Sequence, residues 1–108
     1  MSYNVFTIPP FDKQLKRLVK KFPSLKAEYA QLIESMESQP VQGAALSNSC
    51  YKIRMAIKSK GKGKSGGTRV IFHVQVVENN VFLLAIYDKS EQEDITDTEI
   101  KYLLSFID

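Results

Sequence analysis

Two alternating runs, separated by a glycine-lysine insert, constrain this chain more than any other feature. From Tyr51 to Lys58, Tyr51, Ile53, Met55 and Ile57 alternate with Lys52, Arg54, Ala56 and Lys58. From Thr68 to Val77, Val70, Phe72, Val74 and Val76 alternate with Arg69, Ile71, His73, Gln75 and Val77. A side-chain period of two predicts a strand in each case. The insert Ser59-Lys60-Gly61-Lys62-Gly63-Lys64-Ser65-Gly66-Gly67 reads as the tip of the hairpin that joins them. Seven cations lie between Tyr51 and Val77, and no carboxylate occurs between Glu37 and Glu78. A long acid-free window with cations at alternating strand positions points to a polyanion.

The flanking sequence supplies what such a hairpin packs against. Residues 3–8 are rich in β-formers and predict a short strand, which Pro9 and Pro10 end. Phe11, Leu15, Leu18, Val19 and Phe22 then recur at helical spacing. Pro23 breaks that helix, and Ser24 is placed to cap a second carrying Leu25, Tyr29, Leu32, Ile33 and Met36. Two striped helices with so short a connection form an αα-hairpin. Residues 41–49 read as a loop. Asn79-Asn80 signals a turn, and the almost wholly apolar run Val81 to Tyr87 predicts a central strand covered on both sides. Residues 88–95 form a polar loop. Thr96 and Glu99 have capping-box spacing ahead of a last helix with Ile100, Leu103, Leu104 and Ile107. The expected order is β-αα-βββ-α, an α+β fold with helices on a mainly antiparallel sheet.

At 108 residues the chain is expected to form one domain over residues 1–108. It has no apolar run of about 18 residues that would span a membrane, and its first residues lack the pattern of a signal peptide. Cys50 is the sole cysteine, which suits a reducing compartment and a structural role. A cytoplasmic protein is expected. The net charge of +3 is unevenly spread. Residues 38–77 hold seven bases and no acids; residues 78–108 hold two bases and eight acids. One face is therefore expected to attract anions.

The motif Gly61-Lys62-Gly63-Lys64-Ser65-Gly66 matches a dinucleotide fingerprint in letters only. That fingerprint opens a helix, whereas this one precedes a strand. A Walker loop would need glycine where Lys58 stands. No nucleotide or other cofactor is expected. No grouping of His, Cys and carboxylate has metal-ligand spacing, so no metal is expected either. The tip is read as a solubilising turn or an arm for phosphate backbones, with Lys58, Lys60, Lys62 and Lys64 as RNA-binding candidates. Lys52, Arg54 and Arg69 share one strand face if the hairpin folds in register. They read as a solvated charged face or as a phosphate site, since arginine grips phosphate with a planar fork. His73, the only histidine, lies on the face of Arg69 and is a further RNA-contact candidate. Its plainer role is that of a half-buried residue with a satisfied ring. Glu91, Glu93, Asp94 and Asp97 near the last helix are accounted for by its dipole and by solubility.

The segments Tyr51-Lys52-Ile53-Arg54, Gly67-Thr68-Arg69-Val70-Ile71 and Leu83-Leu84-Ala85-Ile86-Tyr87-Asp88-Lys89 together resemble the RelE/ParE superfamily of bacterial toxins from type II toxin–antitoxin systems. The glycine-lysine tip is similar to that of the HigB-type branch. The resemblance covers essentially the whole chain. It implies a ribosome-dependent endoribonuclease that inhibits translation. In such a toxin the messenger's own 2′-hydroxyl attacks the adjacent phosphate and leaves a 2′,3′-cyclic phosphate. It further implies Lys52 as base, Arg54 and Arg69 as phosphate and transition-state stabilisers, and Lys89 as acid. The stacking tyrosine that some members carry after the late basic residue has no counterpart at Glu93-Asp94-Ile95-Thr96; Tyr87 and Tyr102 are the alternatives. A cognate antitoxin is the implied protein partner, with ribosome and mRNA as targets. A gyrase inhibitor of the ParE kind and a non-catalytic nucleic-acid module are the competing readings.

Overall fold

The computed structural model describes residues 2–58 and 67–107. The tip lysines Lys60, Lys62 and Lys64 lie outside the described residues. The elements run β1 (Asn4–Thr7), α1 (Pro9–Lys21), α2 (Leu25–Ser38), β2 (Ala44–Ala45), β3 (Cys50–Met55), β4 (Thr68–Gln75), β5 (Asn80–Asp88) and α3 (Asp97–Leu104). They build a five-stranded sheet in the order β1-β5-β4-β3-β2. Only β1, beside β5, runs parallel to its neighbour; the other pairs are antiparallel. This is the α+β arrangement that the sequence predicts, with one additional strand.

Pro9 and Pro10 both stop a strand and start a helix. Proline cannot donate to a ladder, but at the first helical positions its missing N–H is not used. Helix α1 therefore begins at Pro9, two residues before the expected Phe11, and buries Phe11 and Leu18. Helix α2 buries Leu25, Leu32 and Met36. Ser24 does stand at its N-cap position, but its hydroxyl donates to Glu28 Oε1 at 3.2 Å instead of capping the backbone. The capping box of α3 forms as expected: Glu99 N donates to Thr96 Oγ1, and Thr96 N donates to Glu99 Oε1, each at 3.1 Å.

Three strand limits differ from expectation, each for a local reason. The segment read as a loop at residues 41–49 contains β2, where Ala44 pairs with Lys52 and Ala45 with Tyr51. Its approach is set at Gly43, whose φ is +82° and where a Cβ would collide with the Lys52 carbonyl. Strand β3 ends at Met55, not Lys58. Ile57 turns fully inward, and the Lys58 amide donates to Glu28 Oε2 at 2.8 Å. Strand β4 ends at Gln75, because Val76–Asn79 make the turn into β5, with Asn79 at φ 56° and Val77 89% exposed.

Strand β5 lies between β1 and β4 and is buried along most of its length, as a central strand should be. Its pairing with β4 shifts between Ile71, opposite Ala85, and Phe72, opposite Leu83, leaving Leu84 as an extra residue. Such a bulge twists the strand locally. Glu28, Leu32 and Ser35 of α2 line one groove together with Ile53 and Met55 of β3. Helix α3 lies beside Ala85, where Glu99, Tyr102 and Leu103 close over a small cavity. The core joins Phe11, Leu18 and Met36 from the helices to Val70, Phe72, Leu83 and Ile86 from the sheet.

Candidate functional site

Register decides which cations meet. Arg54 and Arg69 are direct cross-strand partners, and Lys52 faces Ile71 one step of the same face away. Residues that pair directly, or that lie two apart, share a face. Lys52, Arg54 and Arg69 are thus brought together, as their spacing predicts. Across β5 the same row continues to Tyr87, the partner of Arg69. Arg69 is buried, at 5% exposure, whereas Arg54 is exposed. Two shallow grooves, of about 450 and 480 Å³, flank Arg54 along the edge of β3.

The other candidates are placed around this row. Lys89 is exposed on the turn after β5, its amide 3.3 Å from the Gly67 carbonyl at the start of β4. Lys58 is exposed just past β3. His73 shares the cationic face, but its Nδ1 is 2.9 Å from the Asn48 carbonyl. A carbonyl only accepts, so Nδ1 donates and that side of the ring is committed to the 47–49 loop. The Cys50 thiol sits 3.8 Å from the same nitrogen, and burial pushes its pKa up to about 11. It is therefore a poor nucleophile near neutral pH.

Four further residues enter the site: Asp94, Glu91 and Asp97, which the sequence accounts for by the dipole of the last helix and by solubility, and Tyr87, which it offers only as an alternative stacking ring. Asp94 Oδ1 lies 3.3 Å from Lys52 Nζ and also accepts from the Ile95 amide at 2.8 Å. Those two contacts, the backbone one foremost, hold its carboxyl below the usual range. Glu91 accepts two hydrogen bonds from Arg17 on α1, at 3.0 and 3.1 Å, with Lys21 at 3.6 Å. Asp97 accepts from Ser47 Oγ at 3.1 Å. The acids before α3 thus do more than serve the helix dipole: they tie the β5–α3 segment to α1 and to the β2–β3 region. Exposed pairs of this kind add little stability individually. The only sequence signal for them is the separation of charge between residues 38–77 and 78–108.

Tyr87 is the fourth residue. Its ring is buried, and its hydroxyl has no hydrogen-bond partner among the described residues. Burial, with Asp94 and Glu99 adding and Arg69 opposing, raises its pKa from 10.0 to about 12. The folded state thus retains a proton that the unfolded state gives up. The associated stability is whole below pH 10 and is lost as pH rises through about 12. Tyr87→Phe should keep or raise the urea midpoint at neutral pH, since it removes an unpartnered buried polar atom. It should also flatten the alkaline loss between those two pH values, followed as urea midpoints against wild type. An unchanged alkaline slope in the variant would refute the assignment to Tyr87.

The five-stranded mixed sheet with its three helices is similar in fold to two solved toxins. The free-state E. coli toxin RelE, a double arginine-to-alanine mutant, matches with a TM-score of 0.65 and 14% identity, over 99% of each chain. The isolated E. coli RelE toxin matches with a TM-score of 0.55 and 17% identity, over 98% of this chain and 100% of that one. At such identities the likeness speaks for the fold. The family is settled by sequence: the model described as RelE toxin of the RelE/RelB toxin–antitoxin system matches residues 11–106. The chain belongs to the RelE toxin family, within the RelE/ParE superfamily. It is a toxin of a toxin–antitoxin system, and membership of that family implies a cognate antitoxin as partner.

Proposed function

We propose that this toxin is a metal-independent endoribonuclease that cuts mRNA on the ribosome. The observation that carries the reading is the direct pairing of Arg54 with Arg69, with Lys52 beside them. Facing positions on adjacent strands put two guanidinium groups where one phosphodiester could meet both, with its non-bridging oxygens fixed by their planar forks.

Lys52 and Lys89 lie toward opposite sides of the arginine row. Lys52 is one step along the sheet in the Ile71 direction. Lys89 follows Asp88, the partner of Thr68, on the other side. In-line transfer asks for a base and an acid on opposite sides of the phosphorus. Lys52 takes the proton of the 2′-hydroxyl, whose oxygen forms the new P–O bond. The bond to the 5′-oxygen breaks, and Lys89 protonates that leaving oxygen. Arg54 and Arg69 stabilise the charge that builds on the phosphoryl oxygens. The products are a 2′,3′-cyclic phosphate and a 5′-hydroxyl. Lys58 and the tip lysines Lys60, Lys62 and Lys64 contribute contacts to ribosomal RNA. The same tip supports placing the chain in the HigB-type branch.

The test is to incubate the purified toxin with ribosomes programmed by a defined message and to map the ends by primer extension. Cleavage confined to the decoding-site codon, with cyclic phosphate on the upstream fragment, is the expected result. Intact message together with loss of gyrase supercoiling would replace this reading with that of a gyrase inhibitor.

A further inference from the structure

The segment between β5 and α3 is fastened at both ends and in the middle. Asp88 accepts from Ser90 Oγ at 2.9 Å, and its backbone carbonyl takes the amides of Glu91 and Gln92 at 2.9 and 3.1 Å. Glu91 is clamped to Arg17 and Lys21 of α1. Gln92 Nε2 donates to the Asp94 carbonyl at 2.9 Å, and the capping box secures Thr96. Between these anchors Asp94 projects its carboxylate onto Lys52, the cation next to the arginine pair.

We propose that Asp94 is a built-in competitor for the phosphate subsite of this toxin: its carboxylate occupies Lys52 in the free protein, and an RNA phosphate displaces it. The catalytic consequence rests on the ribonuclease reading above; the competition for polyanion does not. A carboxylate and a phosphodiester each present one negative charge through oxygen, so either satisfies the same ammonium. While Asp94 holds Lys52 Nζ, that nitrogen is not available to the 2′-hydroxyl of an incoming strand. The Asp94 side chain is 63% exposed and that of Lys52 25%. The contact can therefore open without disturbing the core, and an incoming strand can reach it. Several phosphates arriving together outcompete one tethered acid, because each adds its own released counterion. The anchors at Glu91 and Thr96 return the carboxylate to Lys52 when the strand leaves.

The binding test uses fluorescence anisotropy with a labelled, single-stranded RNA oligonucleotide and no ribosome. Asp94→Asn keeps an acceptor for the Ile95 amide but loses the charge. It should bind about 3- to 10-fold tighter, the scale of one further phosphate contact, with a correspondingly steeper salt dependence. Glu93→Gln makes the same change of net charge at an exposed neighbour that has no ion pair among the described residues, so its gain should be much smaller. In a Lys52→Ala background the gain from Asp94→Asn should vanish. Equal gains from the two neutralisations, or a gain that survives Lys52→Ala, would overturn the proposal. The two readings fail separately. Uncut message with all three binding results intact would remove the nuclease and keep the competitor. Normal cleavage with an unresponsive Asp94→Asn would do the reverse.

Discussion

Arg69→Ala should lower the rate of ribosome-dependent cleavage by about 10²- to 10³-fold, the usual loss when one donor to a developing oxyanion is removed. The effect should fall mainly on the rate at saturating ribosome, because the guanidinium meets charge that grows in the transition state. Arg69 is buried in the sheet, so a loss of folding must be separated from a loss of chemistry. Two companions do this. Arg69→Lys keeps a cation but not the planar fork, and should recover only part of the rate. Arg54→Ala removes the exposed partner of the same row and should lose rate with an unchanged urea midpoint. Full activity in a folded Arg69→Ala protein would take the arginine pair out of the mechanism.

Phe72→Ala should destabilise the fold by about 3–5 kcal/mol in urea unfolding, with no change in the residues of the cationic row. Phe72 is fully buried in β4 and stacks on Tyr51 of β3 at a centroid distance of 5.7 Å. It also sits at the step where the β4–β5 register shifts. Truncation opens a cavity at a point where two neighbouring strands already depart from regular pairing, leaving little freedom to collapse around it. Total stability of a domain of this size is about 5–15 kcal/mol, so the variant should lie close to the unfolding threshold at physiological temperature. A loss below about 1 kcal/mol would mean that the bulge can repack, contrary to the close contacts around it.

The features legible in the sequence are those carried by period and by adjacent residues. Tyr51–Lys52–Ile53–Arg54 and Arg69–Val70–Ile71 alternate, and alternation alone puts Lys52, Arg54 and Arg69 on one face once the strands pair. The Thr96–Glu99 cap is likewise a three-residue relation and forms as written. Limits were harder to read where tertiary contacts override local pattern. Ile57 continues the alternation on paper, but Glu28, thirty residues earlier, captures the next amide and ends the ladder. Val76 and Val77 also keep the period, yet the turn into β5 takes them out to solvent. Strand β2 offers two alanines and no pattern at all; it exists because Gly43 lets the chain come close to Lys52. Asp94 could not be placed by any such rule. It is forty-two residues from Lys52, and only the path of the chain through β5 and the clamp on Arg17 brings the two together.

The lone parallel pair also carries a statement about time. Asn4 lies opposite Asn80, seventy-six residues later, whereas β3, β4 and β5 follow one another and pair in sequence. Closing so long a loop costs more entropy than closing a hairpin and comes after the local pairings are available to receive it. On a growing chain, β1 is made seventy-six residues ahead of its partner and has nothing to join until residues 80–88 exist. The sheet is therefore completed only once β5 has been made, and a product truncated before it lacks the finished scaffold.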